Sequence, residues 1–128
     1  GSSPTLGTGA DTLLPFANEV FDTDNAYDTS NGRFTVPSGK AGKYFLHAQI
    51  KTATHTNFNM LEIVLYQNTT AQTQARVYHD DYGSVNASAL VDASVGDYFW
   101  VRAMQNSGGD LTLSTSVHHT FFTGFKLL

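Results

Sequence analysis

The sequence predicts an all-β sandwich, and three observations carry that reading. From Thr12 onward the chain is a series of short apolar runs separated by turn dipeptides, among them Asn31-Gly32, Ser38-Gly39, Gly96-Asp97 and Gly108-Gly109. Runs of that length and spacing are the pattern of a sandwich. Sixteen Thr, nine Phe and six Tyr weight the composition toward side chains that fit a pleated, half-buried surface. No window holds a helical period over three turns, and two Glu in the whole chain are too few for ordinary amphipathic helices. No internal repeat is visible, which sets aside solenoids and propellers.

At 128 residues the chain has room for one core, and 41% apolar residues is enough to fill it. Seven basic residues against eleven acidic ones give a net charge of −4 with no basic run, so nucleic acid is not an expected partner. No apolar stretch approaches the ~20 residues that span a bilayer, so membrane insertion is not expected. The absence of Cys removes disulfide frameworks, thiolate metal sites and cysteine nucleophiles together. Charged residues make up only 14%, against roughly 25% in an ordinary soluble domain. Neutral hydroxyls and amides take their place, which points to a domain working outside the cytoplasm.

Taken in order, residues 1–10 are small and polar with one Pro, and read as a flexible linker or tag remnant ahead of a domain at 11–128. The expected strands are Thr12–Phe16, Asn18–Phe21, Gly32–Val36, Lys43–Lys51, Met60–Gln67, Gln74–His79, Val85–Val91, Tyr98–Gln105, Leu111–Val117 and Thr120–Leu128. Met60–Gln67 alternates Leu61, Ile63 and Leu65 against a parity expected to meet water. Alternation also sends Tyr44, Leu46, Ile50, Phe99 and Val101 inward. Two strands break the rule that a lone antiparallel sheet keeps one polar face. Lys43–Lys51 carries Phe45, His47 and Gln49 opposite its inward set, and Thr120–Leu128 is apolar on both parities. A second surface must cover such strands, and in a short chain another copy is the simplest cover.

Three blocks then resemble C1q-like domains. Tyr27, Asp28, Gly32, Phe34 and Pro37, followed by Gly42 and Tyr44, match the family's Y-D-x-x-x-G-x-F-x-x-P and G-x-Y-x-F segments, with Leu46 in place of the usual aromatic. Gly96, Asp97, Phe99 and Trp100 resemble its G-D-x-V-W, and Phe122, Gly124, Phe125 and Leu127 its closing F-S-G-F-L-L. Order and spacing agree from Phe16 to Leu128. Val36 stands where many members have Cys, and the style of the Phe21–Tyr44 stretch is closer to modules of phage and bacterial surface proteins. The resemblance implies a ten-stranded jelly roll of the C1q and tumour-necrosis-factor kind, assembling as a compact homotrimer. It places Tyr27-Asp28 in a connecting turn, and it puts Phe45, His47, Gln49, Phe122 and Phe125 at the trimer interface.

Candidate chemistry is sparse. His118 and His119 are adjacent, so on a strand they point to opposite faces and cannot share one ion. No G-x-S-x-G elbow accompanies the Ser and His residues, and an enzyme is not expected. Asp22–Asp28 opens like a calcium loop but lacks its Gly and closing Glu. An Asx-turn cluster accounts for it more simply. No cofactor is expected; the metal question stays open, with Ca2+ held by loop carboxylates as the alternative. Aromatic rings that could stack on a sugar are Tyr66, Tyr78, Trp100 and Tyr82, of which Tyr82, beside Asp80 and Asp81 in a turn, is the loop candidate.

These readings converge on a non-catalytic trimeric head of a virion, tail-fibre or other surface protein, working extracellularly or on the virion surface. Its exposed loops would contact a cell-surface receptor or glycan, in receptor binding, adhesion or carbohydrate binding. A secreted lectin-like recognition protein is the alternative.

Overall fold

A computed structural model describes residues 5–7, 12–13, 26–28, 30–53, 59–79, 83–116 and 119–127. Every regular element among them is a strand: β1 (Thr5–Leu6), β2 (Thr12–Leu13), β3 (Tyr27–Asp28), β4 (Arg33–Thr35), β5 (Gly42–Lys51), β6 (Asn59–Gln67), β7 (Thr70–His79), β8 (Ser84–Ala93), β9 (Tyr98–Gln105), β10 (Leu111–Thr112) and β11 (Phe121–Lys126). Antiparallel pairing joins β11, β5 and β8 into one sheet and β3, β4, β9, β6 and β7 into another, with β2 added beside β9. Strands β1 and β10 form a small third pair.

Alternation builds the core between the two large sheets. Tyr44, Leu46, Ala48 and Ile50 on β5 face Leu61, Ile63 and Leu65 on β6 and Phe99, Val101 and Ala103 on β9, all buried. Phe34, Tyr44 and Phe99 form an aromatic cluster with centroids 5.9–6.4 Å apart. The Tyr44 hydroxyl reaches the Lys40 carbonyl at 2.7 Å, so the ring is buried without stranding its polar end. On β8 the inward parity includes Ala87 and Ala93, whose small volume lets that edge lie close to the opposite sheet.

The Gly-Asp turn before β9 ties the sheets' connections together. Gly96 has φ 91°, a left-handed conformation that glycine adopts at no steric cost. Asp97 accepts from the Ser94 amide at 2.9 Å, from Gln67 Nε2 at 3.0 Å and from Asn68 Nδ2 at 3.0 Å. Those three bonds, the Ser94 amide foremost, hold its carboxyl below the usual carboxylate range. Asn68, itself at φ 55° in the β6–β7 turn, also accepts from the Tyr98 amide through Oδ1 and from Trp100 Nε1 through its carbonyl.

Four expectations need correction. Residues 1–10 are not simply a linker: Leu6 is fully buried on β1, and Gln105 Nε2 donates to its carbonyl at 2.9 Å. Tyr27-Asp28 is a short strand and not a turn, because Tyr27 pairs with Phe34 and buries its ring against Phe122. The water-facing parity of β6 is closed at Glu62 and Val64, both buried. Arg76 Nε and Gln74 Nε2 from β7 bond to Glu62 Oε2, so the carboxylate is paired where it leaves water. Among the described residues, the expected strand Leu111–Val117 pairs as far as Thr112, with one further bridge from Leu113 to Thr52. The expected strand Asn18–Phe21 lies outside the described residues.

Candidate functional site

The face of the β11–β5–β8 sheet turned away from the core is the candidate site. Register places its residues in rows across the three strands: Leu90, Phe45 and Phe125, then Ser88, His47 and Thr123, then Asn86, Gln49 and Phe121. The first row is apolar and open to solvent, with Leu90 64% and Phe125 56% exposed. The Phe45 and Phe125 rings lie 5.5 Å apart, and His47 stacks on Phe121 at 5.6 Å with the rings 12° from parallel. Gln49 Nε2 donates to the His119 carbonyl at 3.0 Å, which fixes the polar end of the face. At the other end Lys43 Nζ and Asp92 Oδ1 pair at 2.8 Å, both well exposed, a contact worth at most about 1 kcal/mol.

Phe45, His47, Gln49 and Phe125 therefore share one outward face. Phe122 does not. It has the opposite parity, is fully buried within a single chain and packs edge-on against Tyr27 at 6.0 Å, so it is a core residue and not an interface one. Leu90 and Phe121 join this face without having been expected there from the sequence. The signal for Leu90 was the register of β8 against β5, which no single strand displays. Phe121 was legible from parity alone, two residues before Thr123 and four before Phe125.

The sugar candidates divide. Trp100 stacks on Tyr66 at 4.5 Å and 15°, and its indole N–H is used by the Asn68 carbonyl at 2.8 Å. The Arg102 guanidinium also lies over the Tyr66 ring, 5.1 Å from its centroid. Tyr78 is exposed, with its hydroxyl accepting from Arg76 Nη1 at 3.1 Å. Tyr82, Asp80 and Asp81 lie outside the described residues, as do positions 22–25 of the calcium-like loop. At the end of that loop Asp28 Oδ1 accepts from the Ser30 hydroxyl at 2.6 Å and the Ser30 amide at 2.8 Å, the bonding of an Asx turn. The Ser30 hydroxyl is the main cause of an Asp28 carboxyl held below its ordinary range.

Among the described residues no three His, Asp or Glu side chains cluster as a metal site. His119 Nδ1 lies 2.8 Å from Ser114 Oγ, which also accepts from the Ser116 amide.

Comparison with known proteins gives the same architecture. The C1q domain family matches residues 2–127. A Bacillus subtilis (strain 168) protein, the uncharacterized protein YqcC, is 30% identical over 114 residues, covering 83% of this chain. The chain spans only 31% of that relative's length. The globular domain of zebrafish complement 1qA superimposes with a TM-score of 0.57 at 14% identity, covering 100% of this chain and 98% of that one. Eiger TNF from S. frugiperda gives 0.65 at 14%, covering 98% and 91%. Murine APRIL gives 0.64 at 18%, covering 96% of both chains. With the family model spanning nearly every residue, and with the jelly-roll sheets paired as described, this chain belongs to the C1q domain family.

Proposed function

We propose that this domain is a non-catalytic, trimer-forming head of a longer surface or fibre protein. The face that brings three copies together is the outward side of β11, β5 and β8. The observation that carries the reading is the apolar row Leu90, Phe45 and Phe125, in which Leu90 and Phe125 are exposed and Phe45 is half-buried in the single chain, although the other side of the sheet already lines the core. Burying such a row against other copies yields roughly 25 cal/mol per Å² of apolar surface, set against the cost of association. C1q and tumour-necrosis-factor-like domains typically assemble as homotrimers and generally have no enzymatic activity. The greater length of the Bacillus relative supports a modular role, in which the head registers chains whose other segments lie elsewhere. Recognition of a receptor or glycan falls to the loops at the sandwich ends, because a rigid scaffold presenting variable loops is the usual division of labour.

Sedimentation equilibrium at micromolar concentration tests the assembly. The expected species has three times the 13.9 kDa chain mass. A monomer overturns the reading.

A further inference from the structure

We propose that Asn31 is a deamidation site whose reaction is controlled by one backbone hydrogen bond of the β3–β4 hairpin. Of the eight asparagines in the chain, Asn31 alone precedes a glycine. Glycine has no side chain to keep its own amide nitrogen away from the side-chain carbonyl carbon of the residue before it. Asn31 is exposed in the turn between β3 and β4, whereas Gly32, at φ 69°, is buried. The Arg33 amide donates to Asn31 Oδ1 at 3.1 Å, the oxygen on which negative charge develops when a nucleophile adds to that carbonyl. The nucleophile is the Gly32 nitrogen, and its N–H donates to the Asp28 carbonyl at 2.8 Å. The turn therefore polarises the electrophile and withholds the nucleophile. Tyr27 pairs with Phe34 and Asp28 with Arg33 beside it, and both aromatic rings are buried, so the Gly32 nitrogen is released when this end of the hairpin opens.

The reaction begins when the Gly32 nitrogen gives its proton to hydroxide. That step needs the same opening as hydrogen exchange at the same amide. The nitrogen lone pair then forms a bond to Asn31 Cγ, the Cγ–Nδ2 bond breaks, and Nδ2 takes a proton from water and leaves as ammonia. Water next opens the five-membered imide at either carbonyl. Addition at Cγ breaks the new bond to the Gly32 nitrogen and leaves aspartate at position 31. Addition at the backbone carbonyl of residue 31 breaks the original peptide bond and leaves isoaspartate, with the main chain running through Cγ. Either product puts a second carboxylate into a turn that already carries Asp28. Isoaspartate also adds one carbon to the main chain between strands whose register sets Tyr27 opposite Phe34, which hinders closure in that register.

The test incubates the whole chain, folded and held unfolded in urea, in the same mildly alkaline buffer. Peptide mapping by mass spectrometry reads aspartate and isoaspartate at position 31, and hydrogen exchange reads the Gly32 amide. In urea Asn31 is expected to convert ahead of the other seven asparagines. In the folded chain its conversion is expected to be slower by about tenfold or more, and by a factor comparable to the protection of the Gly32 amide. Equal conversion in the folded and unfolded chains would overturn the proposal. So would slow conversion in a folded chain whose Gly32 amide exchanges freely, because control would then lie outside the Gly32–Asp28 bond. An Asn31 that stays intact in urea while other asparagines convert would remove the site altogether.

Discussion

Gly124 and Leu46 face each other across the β11–β5 ladder, closer than any residue with a side chain would permit. A Cβ at position 124 would lie 2.7 Å from Leu46 Cδ2 and 2.5 Å from the Phe45 carbonyl oxygen. The glycine of the closing F-T-G-F segment is thus there for close approach of two backbones.

Gly124→Ala is accordingly expected to destabilise the domain by about 1–3 kcal/mol or more, the range of overpacking in a filled core. Leu46 can yield by a rotamer change, but the Phe45 carbonyl can move only with the strand. Urea unfolding with an unchanged slope and a lower midpoint is the expected record. An unchanged midpoint would mean that the two strands separate at little cost.

Phe99→Ala is expected to cost about 3–5 kcal/mol, as for other large-to-small changes of fully buried aromatics. Its ring touches Phe34 and Tyr44 from different strands, so the cavity cannot be closed by one neighbour. Thermal unfolding of the variant beside wild type checks this.

The contrast between these residues shows what the sequence made legible. Period-2 alternation was enough to send Phe99, Leu46 and Ile63 inward, because that parity depends on one strand at a time. Glu62 and Val64 were misjudged because their burial depends on side chains that a neighbouring strand lays over them. Phe122 was misjudged for a different reason. In a strand apolar on both faces, hydrophobicity no longer distinguishes core from surface, and only the Ala48–Phe122 register decides. Leu6 was hidden by the small, polar residues around it, and its burial comes from pairing with Leu111, more than a hundred positions away.

Asp97 links stability to pH. Its carboxyl titrates below the ordinary value in the folded chain, so its contribution is present above the unfolded value of about 3.9 and is lost as pH falls through the lower, folded one. Asp97→Asn is therefore expected to weaken the domain at neutral pH, by loss of charge-assisted bonds to the Ser94 amide, Asn68 and Gln67. The gap between variant and wild type should narrow in acid. Unfolding midpoints measured from about pH 6 down to about pH 2.5 check the sign, and a gap that widens in acid would reverse the assignment.

The last prediction sets two neighbouring aromatics against each other. Phe122 and Phe125 lie three residues apart on one short strand, yet one is sealed in the core and the other is more than half exposed. Phe122→Ala removes a ring packed on Tyr27 and should cost about 3–5 kcal/mol of fold stability. Phe125→Ser, alone or with Leu90→Ser, removes surface that the single chain leaves in water. It should change the stability of the isolated fold by no more than about 0.5 kcal/mol. Its effect should instead fall on assembly, because each substitution is repeated in every copy around the face. Combined sedimentation and chemical unfolding separate the two consequences: Phe122→Ala shifts the unfolding midpoint, and Phe125→Ser with Leu90→Ser shifts the monomer–trimer balance toward folded monomer. If the double substitution leaves assembly untouched, the subunits meet on another surface, and the apolar row on β11, β5 and β8 has a different partner.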